Sequence, residues 1–128
     1  MAEIRELVEG VRQAFETGDF TAFPALLTAD AEVRNPFTTV RGPDEFADLG
    51  RRFTAEHEDR RLEVCRVIES GDAAVVEVRV AARHVSGAEI SFEEAGVVRV
   101  RDGRIASWHS YYDALELGRQ MRALSARG

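Results

Sequence analysis

The chain is poor in residues that hold metals or crosslinks, with one cysteine and three histidines among 128 residues. The single thiol, Cys65, can close no intramolecular disulfide and build no cysteine metal cluster. It lies in the apolar run LEVCRVI, where a free cysteine ordinarily packs as a small buried hydrophobe. His57, His84 and His109 share no ligand spacing, and HExxH and CxxC are missing, so no metal is expected. No glycine-rich loop follows a strand to cradle phosphate, and no cofactor is expected. Long apolar runs are lacking as well. The opening MAEIRELVEG carries acids among its apolar residues, unlike a signal peptide or a membrane anchor, so a cytoplasmic protein without membrane contact is the expectation. Positive charge is in deficit, with 17 basic against 23 acidic residues, and Arg51, Arg52, Arg60 and Arg61 are interleaved with Glu56, Glu58 and Asp59. That pattern offers no basic surface to a phosphate backbone, and no nucleic acid is expected as a partner.

The chain does contain one domain, 1–128, of ordinary globular composition with 45% hydrophobic residues and no linker or repeat. Ile4, Leu7, Val8, Val11, Ala14 and Phe15 follow the helical i, i+3, i+4 rule and predict an amphipathic helix over 2–17, ended by Gly18. Asp19 or Thr21 caps a short second helix with Pro24 in its first turn. A short strand, AEVRN, stops at Pro36. Pro43, Asp44 and Glu45 open a third helix with Phe46, Leu49, Gly50 and Phe53 on one stripe, and His57 at its charged end is expected to be solvated.

From there the period changes to two. RLEVCRVIES, AAVVEVRVAARHV and EISFEEAGVVRVR read as long strands, and Asp102-Gly103 is the dipeptide of a tight hairpin into a last strand, Arg104 to Tyr112. Along it Trp108, Ser110 and Tyr112 share one face, while Ser107, His109 and Tyr111 share the other. Asp113 caps a short C-terminal helix, with Glu116 as its reciprocal partner. Helices followed by an antiparallel meander make an α+β fold, with the helices on one face of a bent sheet. Val76, Val78 and Val80, with Ile90 and Phe92, are read as an apolar surface on the other face, which predicts a homodimer through the sheet.

The order ETGDFTAFPALLTADAEVRNPF, RGPDEF and DGRIASWHSYYD resembles the SnoaL-like group of the nuclear-transport-factor-2-like superfamily, over essentially the whole chain. The resemblance implies a cone, made of a strongly bent antiparallel sheet wrapped by the N-terminal helices, with a blind apolar pocket and commonly a homodimer. The superfamily includes ketosteroid isomerases, limonene-type epoxide hydrolases and polyketide cyclases. The isomerase base falls on Asn35, and the isomerase oxyanion hole on Val11 and Ala95, so that mechanism is not carried over. The epoxide hydrolases use an Arg-x-Asp pair on the central strand, a second aspartate after the last-strand tryptophan, and a Tyr and an Asn on the first strand. Asn35 matches that asparagine, Val33 replaces the tyrosine, Glu77-Val78-Arg79 reads as a reversed pair, and Ser110 replaces the second aspartate.

If the inward side of the family holds, the pocket wall contains Val33, Asn35, Phe46, Phe53, Val97, Trp108, Ser110 and Tyr112 as ligand contacts, suited to a small apolar organic molecule. Glu77, Arg79 and Glu93 are the candidate acid–base cluster, provided they face the cavity; otherwise they are the solvated face of the sheet. Two functions follow, a binding protein without the usual family acids, or a cofactor-independent hydrolase, isomerase or cyclase using that cluster.

Overall fold

A computed structural model describes residues 3–127, with side chains described as far as Arg122. Helix α1 (Ile4–Thr17) buries Ile4, Leu7, Val8, Val11 and Ala14. Full burial of side chains such as Leu7 and Val8 stabilises by about 1.5–3 kcal/mol each. The predicted start at residue 2 lies outside the described residues. Gly18 ends the helix in the left-handed region at φ 81°, where its N–H donates to the Ala14 carbonyl. Helix α2 (Phe23–Leu26) carries Pro24 in its only turn, and α3 (Gly42–Glu56) has Pro43 in its first turn. The Glu45 carboxylate accepts the Arg41 N–H at 2.9 Å and so closes the start of α3.

Six strands form one sheet in the order β2-β1-β6-β5-β4-β3, namely β1 (Leu27–Arg34), β2 (Thr39–Arg41), β3 (His57–Ser70), β4 (Ala73–His84), β5 (Glu89–Arg101) and β6 (Arg104–Tyr112). The long meander β3–β6 is antiparallel throughout. The sheet as a whole is mixed, because β1 pairs with β6 in parallel. β1 is longer than expected and takes in Leu27 to Asp30. Beyond it Asn35 Oδ1 accepts the N–H groups of Phe37 and Thr38 at 2.8 and 3.0 Å, which folds the chain back into β2.

Ala74, Val76, Val78, Val80 and Ala82 of β4 and Ile90 and Val98 of β5 are all buried. Most of them belong to one core cluster with α1, α3 and Phe23. These valines and Phe92 therefore serve the concave, helix-covered face and do not form the expected outer apolar surface, while Ile90 is buried opposite Ala82. Helix α4 (Ala114–Arg127) starts at Asp113, whose Oδ1 accepts the Glu116 N–H at 2.9 Å. The Glu116 carboxylate does not return the bond; it accepts from Arg119 and Gln120. Gln120 in turn holds the main chain of Ser91, which ties α4 to β5.

Two residues sit differently from expectation. Cys65 is exposed, because β3 slips register between Val64 and Arg66 and turns the thiol away from the core. His57 is 4% exposed rather than solvated. It is already the first residue of β3, where it pairs with His84, stacks on Phe53 at 4.4 Å and donates from Nδ1 to the Phe53 carbonyl.

Candidate functional site

Between α1, α3 and the concave face of the sheet lies a cavity of about 210 Å³. Val33, Asn35, Phe46, Phe53, Trp108, Ser110 and Tyr112 all line it. Aliphatic and aromatic groups from α1, β3, β4 and β5 make up most of the remaining wall.

Glu77, Arg79, Glu93 and Val97 are not in that wall. They lie on the opposite face of the sheet, where Arg79 pairs with Glu93 at 3.3 Å and with Glu63 at 3.6 Å, and Arg66 pairs with Glu77 at 3.0 Å. The side chains of Glu77, Arg79 and Glu93 are 46%, 56% and 77% exposed, so the pairs are solvated and contribute little. The cause is one extra residue. In an unbroken two-residue hairpin around Asp102-Gly103, Val97 stands opposite Trp108 and shares its face. The observed register runs Arg101↔Arg104 and Val100↔Ile105, then shifts to Arg99↔Ser107 and Val98↔Trp108. Ala106 is the bulged residue, and it exchanges the faces of everything beyond it on β5 and, through the pairing Arg79↔Glu93, on β4.

The same shift brings Glu94 inward, opposite Tyr112. Among the described residues that line the cavity it is the one carboxylate. Burial among apolar neighbours pushes its pKa up to about 7, with the Ser110 hydroxyl acting weakly in the other direction. Near neutral pH the group therefore exists in both protonation states. Tyr112 is pushed up to about 12 by burial and, secondarily, by the charge of Glu94, so its hydroxyl stays neutral. Its ring is braced by Phe92 at 4.9 Å and by Phe37 at 6.1 Å.

Arg12 also reaches the cavity, but its guanidinium is held by Glu9 and Glu16 on α1. These bonds raise the arginine pKa and lower that of Glu9, and the positive charge is already matched. Glu16 further accepts the Leu62 N–H at 3.2 Å, anchoring α1 to β3. Asn35 spends its Oδ1 on the turn after β1, which leaves its amide N–H groups for a ligand. No group of three or more His, Cys, Asp or Glu converges on a metal position among the described residues. No helix among them is long and apolar enough to cross a membrane.

The model of the SnoaL-like domain matches residues 8–108. The chain belongs to the SnoaL-like domain family. Among curated relatives, the epoxide hydrolase EphG of Mycobacterium tuberculosis is 31% identical over 111 residues, covering 86% of this chain and 73% of that one. A solved Mycobacterium tuberculosis LEH-like epoxide hydrolase superposes with a TM-score of 0.77 at 28% identity, over 94% of this chain and 91% of that one. TsrD from Streptomyces laurentii superposes with a TM-score of 0.83 at 25% identity, over 92% and 93% of the two chains. The cone is the fold of nuclear-transport-factor-2-like proteins.

Within this SnoaL-like chain the epoxide-hydrolase constellation is missing from the cavity. An Arg-x-Asp pair that faces a cavity needs two positions two apart on the central strand. On β4 the buried inward positions are Val76, Val78 and Val80. The resemblance puts the second aspartate at position 110, which is a serine here. Glu94 stands on β5, one strand away from the expected pair.

Proposed function

We propose that this SnoaL-like protein binds a small, largely apolar organic molecule in the cone and moves a proton on it through Glu94, without a cofactor. The observation that carries this reading is a solitary carboxyl in an apolar cavity, held by burial at a pKa of about 7. A group with that pKa is both a usable base and a usable acid at neutral pH. Tyr112 and Ser110 supply hydroxyls beside it to orient an oxygen of the ligand. Binding without turnover is the second reading, favoured by the valines and the serine that stand where epoxide hydrolases keep charged groups. The same proposal has the protein working in the cytoplasm as a homodimer paired through the outer face of the sheet, where Ile68, Val75 and Tyr111 are exposed.

The test uses 5-nitrobenzisoxazole, whose ring opens on loss of one carbon-bound proton and so reports a base in an apolar pocket. The expected rate rises with pH through an inflection near the Glu94 pKa, about 7, because the ionised form is the base. Glu94→Gln is expected to lower it by about 10²–10⁴. A wild-type rate equal to the buffer background, or a Glu94→Gln variant as fast as wild type, removes the proton-transfer reading and leaves binding alone.

A further inference from the structure

We propose that Gly96 determines which ligands the cavity admits, by letting the Trp108 indole lie against the sheet. This rests on the small-molecule reading above. Gly96 is buried on the inward face of β5, paired with Ser110 and two residues from Glu94. It is not among the residues with positive φ, so any L-residue fits its backbone. A glycine inside a strand costs stability and commonly marks a close approach by another group. Here that group is the indole. A Cβ on residue 96 stands 2.3 Å from Trp108 Nε1, 3.1 Å from Cε2 and 3.2 Å from Cδ1. The indole is 7% exposed and forms part of the cavity wall. A methyl group at position 96 must therefore displace the Nε1 edge of the ring by about 1 Å to restore ordinary contacts, and that ring is itself cavity wall.

In a cavity of about 210 Å³ a displaced indole reshapes a good part of the wall that a ligand meets. The missing side chain thus gives room to the Nε1 edge of the indole and keeps Trp108 back in the wall beside Glu94 and Ser110. The ligand class that uses this wall is a flat, apolar ring compound carrying one oxygen. A ligand of one ring is expected to tolerate a displaced indole; a fused pair of rings is expected to need the wall where it stands.

Acetophenone and 2-acetylnaphthalene, which carry the same ketone on one and two rings, are the probes, titrated calorimetrically. Wild type is expected to bind both. Gly96→Ala is expected to weaken 2-acetylnaphthalene by about tenfold or more while acetophenone changes by less than about threefold, the scale on which pockets discriminate one or two carbons. Trp108 emission is expected to shift in the same variant without ligand. Trp108→Leu in the Gly96→Ala background removes the colliding atoms and is expected to recover the larger ketone; it also serves if Gly96→Ala alone does not fold. Equal loss of both ketones, no loss of either, or a double variant that stays impaired overturns the role of Gly96 and leaves the pocket reading intact. Failure of wild type to bind either ketone overturns both.

Discussion

Glu94 titrates inside the fold at about 7, against an ordinary value of 4.5. Between those two pH values the folded chain holds a proton that the unfolded chain has lost. Stability is therefore greatest below about pH 4.5 with respect to this group, falls as pH rises, and levels off above about pH 7, a loss of about 3 kcal/mol at most. Glu94→Gln removes the penalty. Its urea midpoint at pH 8 is expected to exceed that of wild type, with the difference vanishing near pH 4. Parallel wild-type and variant curves from pH 4 to 8 would show that the carboxyl is not held in apolar surroundings. Tyr112, also raised by burial, titrates too high to contribute in this window.

At the scale of the element, β4 divides its residues between a buried face of Val76, Val78 and Val80 and an outer face where Glu77, Arg79 and Arg83 stand beside Val75. Two outcomes follow from that division. Arg79→Ala and Glu77→Gln are expected to leave ligand binding and the Glu94-dependent rate unchanged, since both side chains point away from the cavity. Assays with simple epoxides are expected to show no hydrolysis above background, because Val78, Val80 and Ser110 provide neither the arginine nor the paired acids; turnover of epoxides would mean that Glu94 alone activates water. The sequence shows why this face was hard to read. β4 and β5 alternate so regularly that both parities look like good strands, and only their coupling to Trp108 decides between them. That coupling passes through Ala106, an unremarkable residue in RIASW that carries no glycine or proline to announce a bulge. The helices were legible because their stripes and caps are local: Gly18, Pro24, Pro43 and Asp113 each mark an end by their own chemistry. The wall of β6 was legible too, since Trp108, Ser110 and Tyr112 lie beyond the bulge on the same strand. Glu94 was hidden beside Glu93, and a signal for it existed: Phe92, Gly96 and Val98 share its face, whereas Glu93 shares its face with Arg99 and Arg101.

For the whole molecule, the outer face of the sheet mixes exposed Ile68, Val75 and Tyr111 with the Arg66–Glu77 and Arg79–Glu93 pairs. Such a face suits an interface with a second copy better than it suits permanent contact with water. Sedimentation of the wild type is expected to give a dimer, and the pair Ile68→Glu with Tyr111→Glu a monomer. A monomeric wild type at high micromolar concentration would remove the proposed pairing.

The parallel pairing of β1 with β6 joins Leu27 to Ile105 and Arg34 to His109, positions separated by most of the chain. A ribosome releases α1, β1 and α3 long before the strand that holds β1 in the sheet has been made. The entropy of closing that loop must be met before the contact repays it, so refolding is expected to be slow for a domain of this size. Until β6 arrives the nascent chain displays the apolar side of α1 and an unpaired β1 edge, the surfaces most prone to misassociation in the cell.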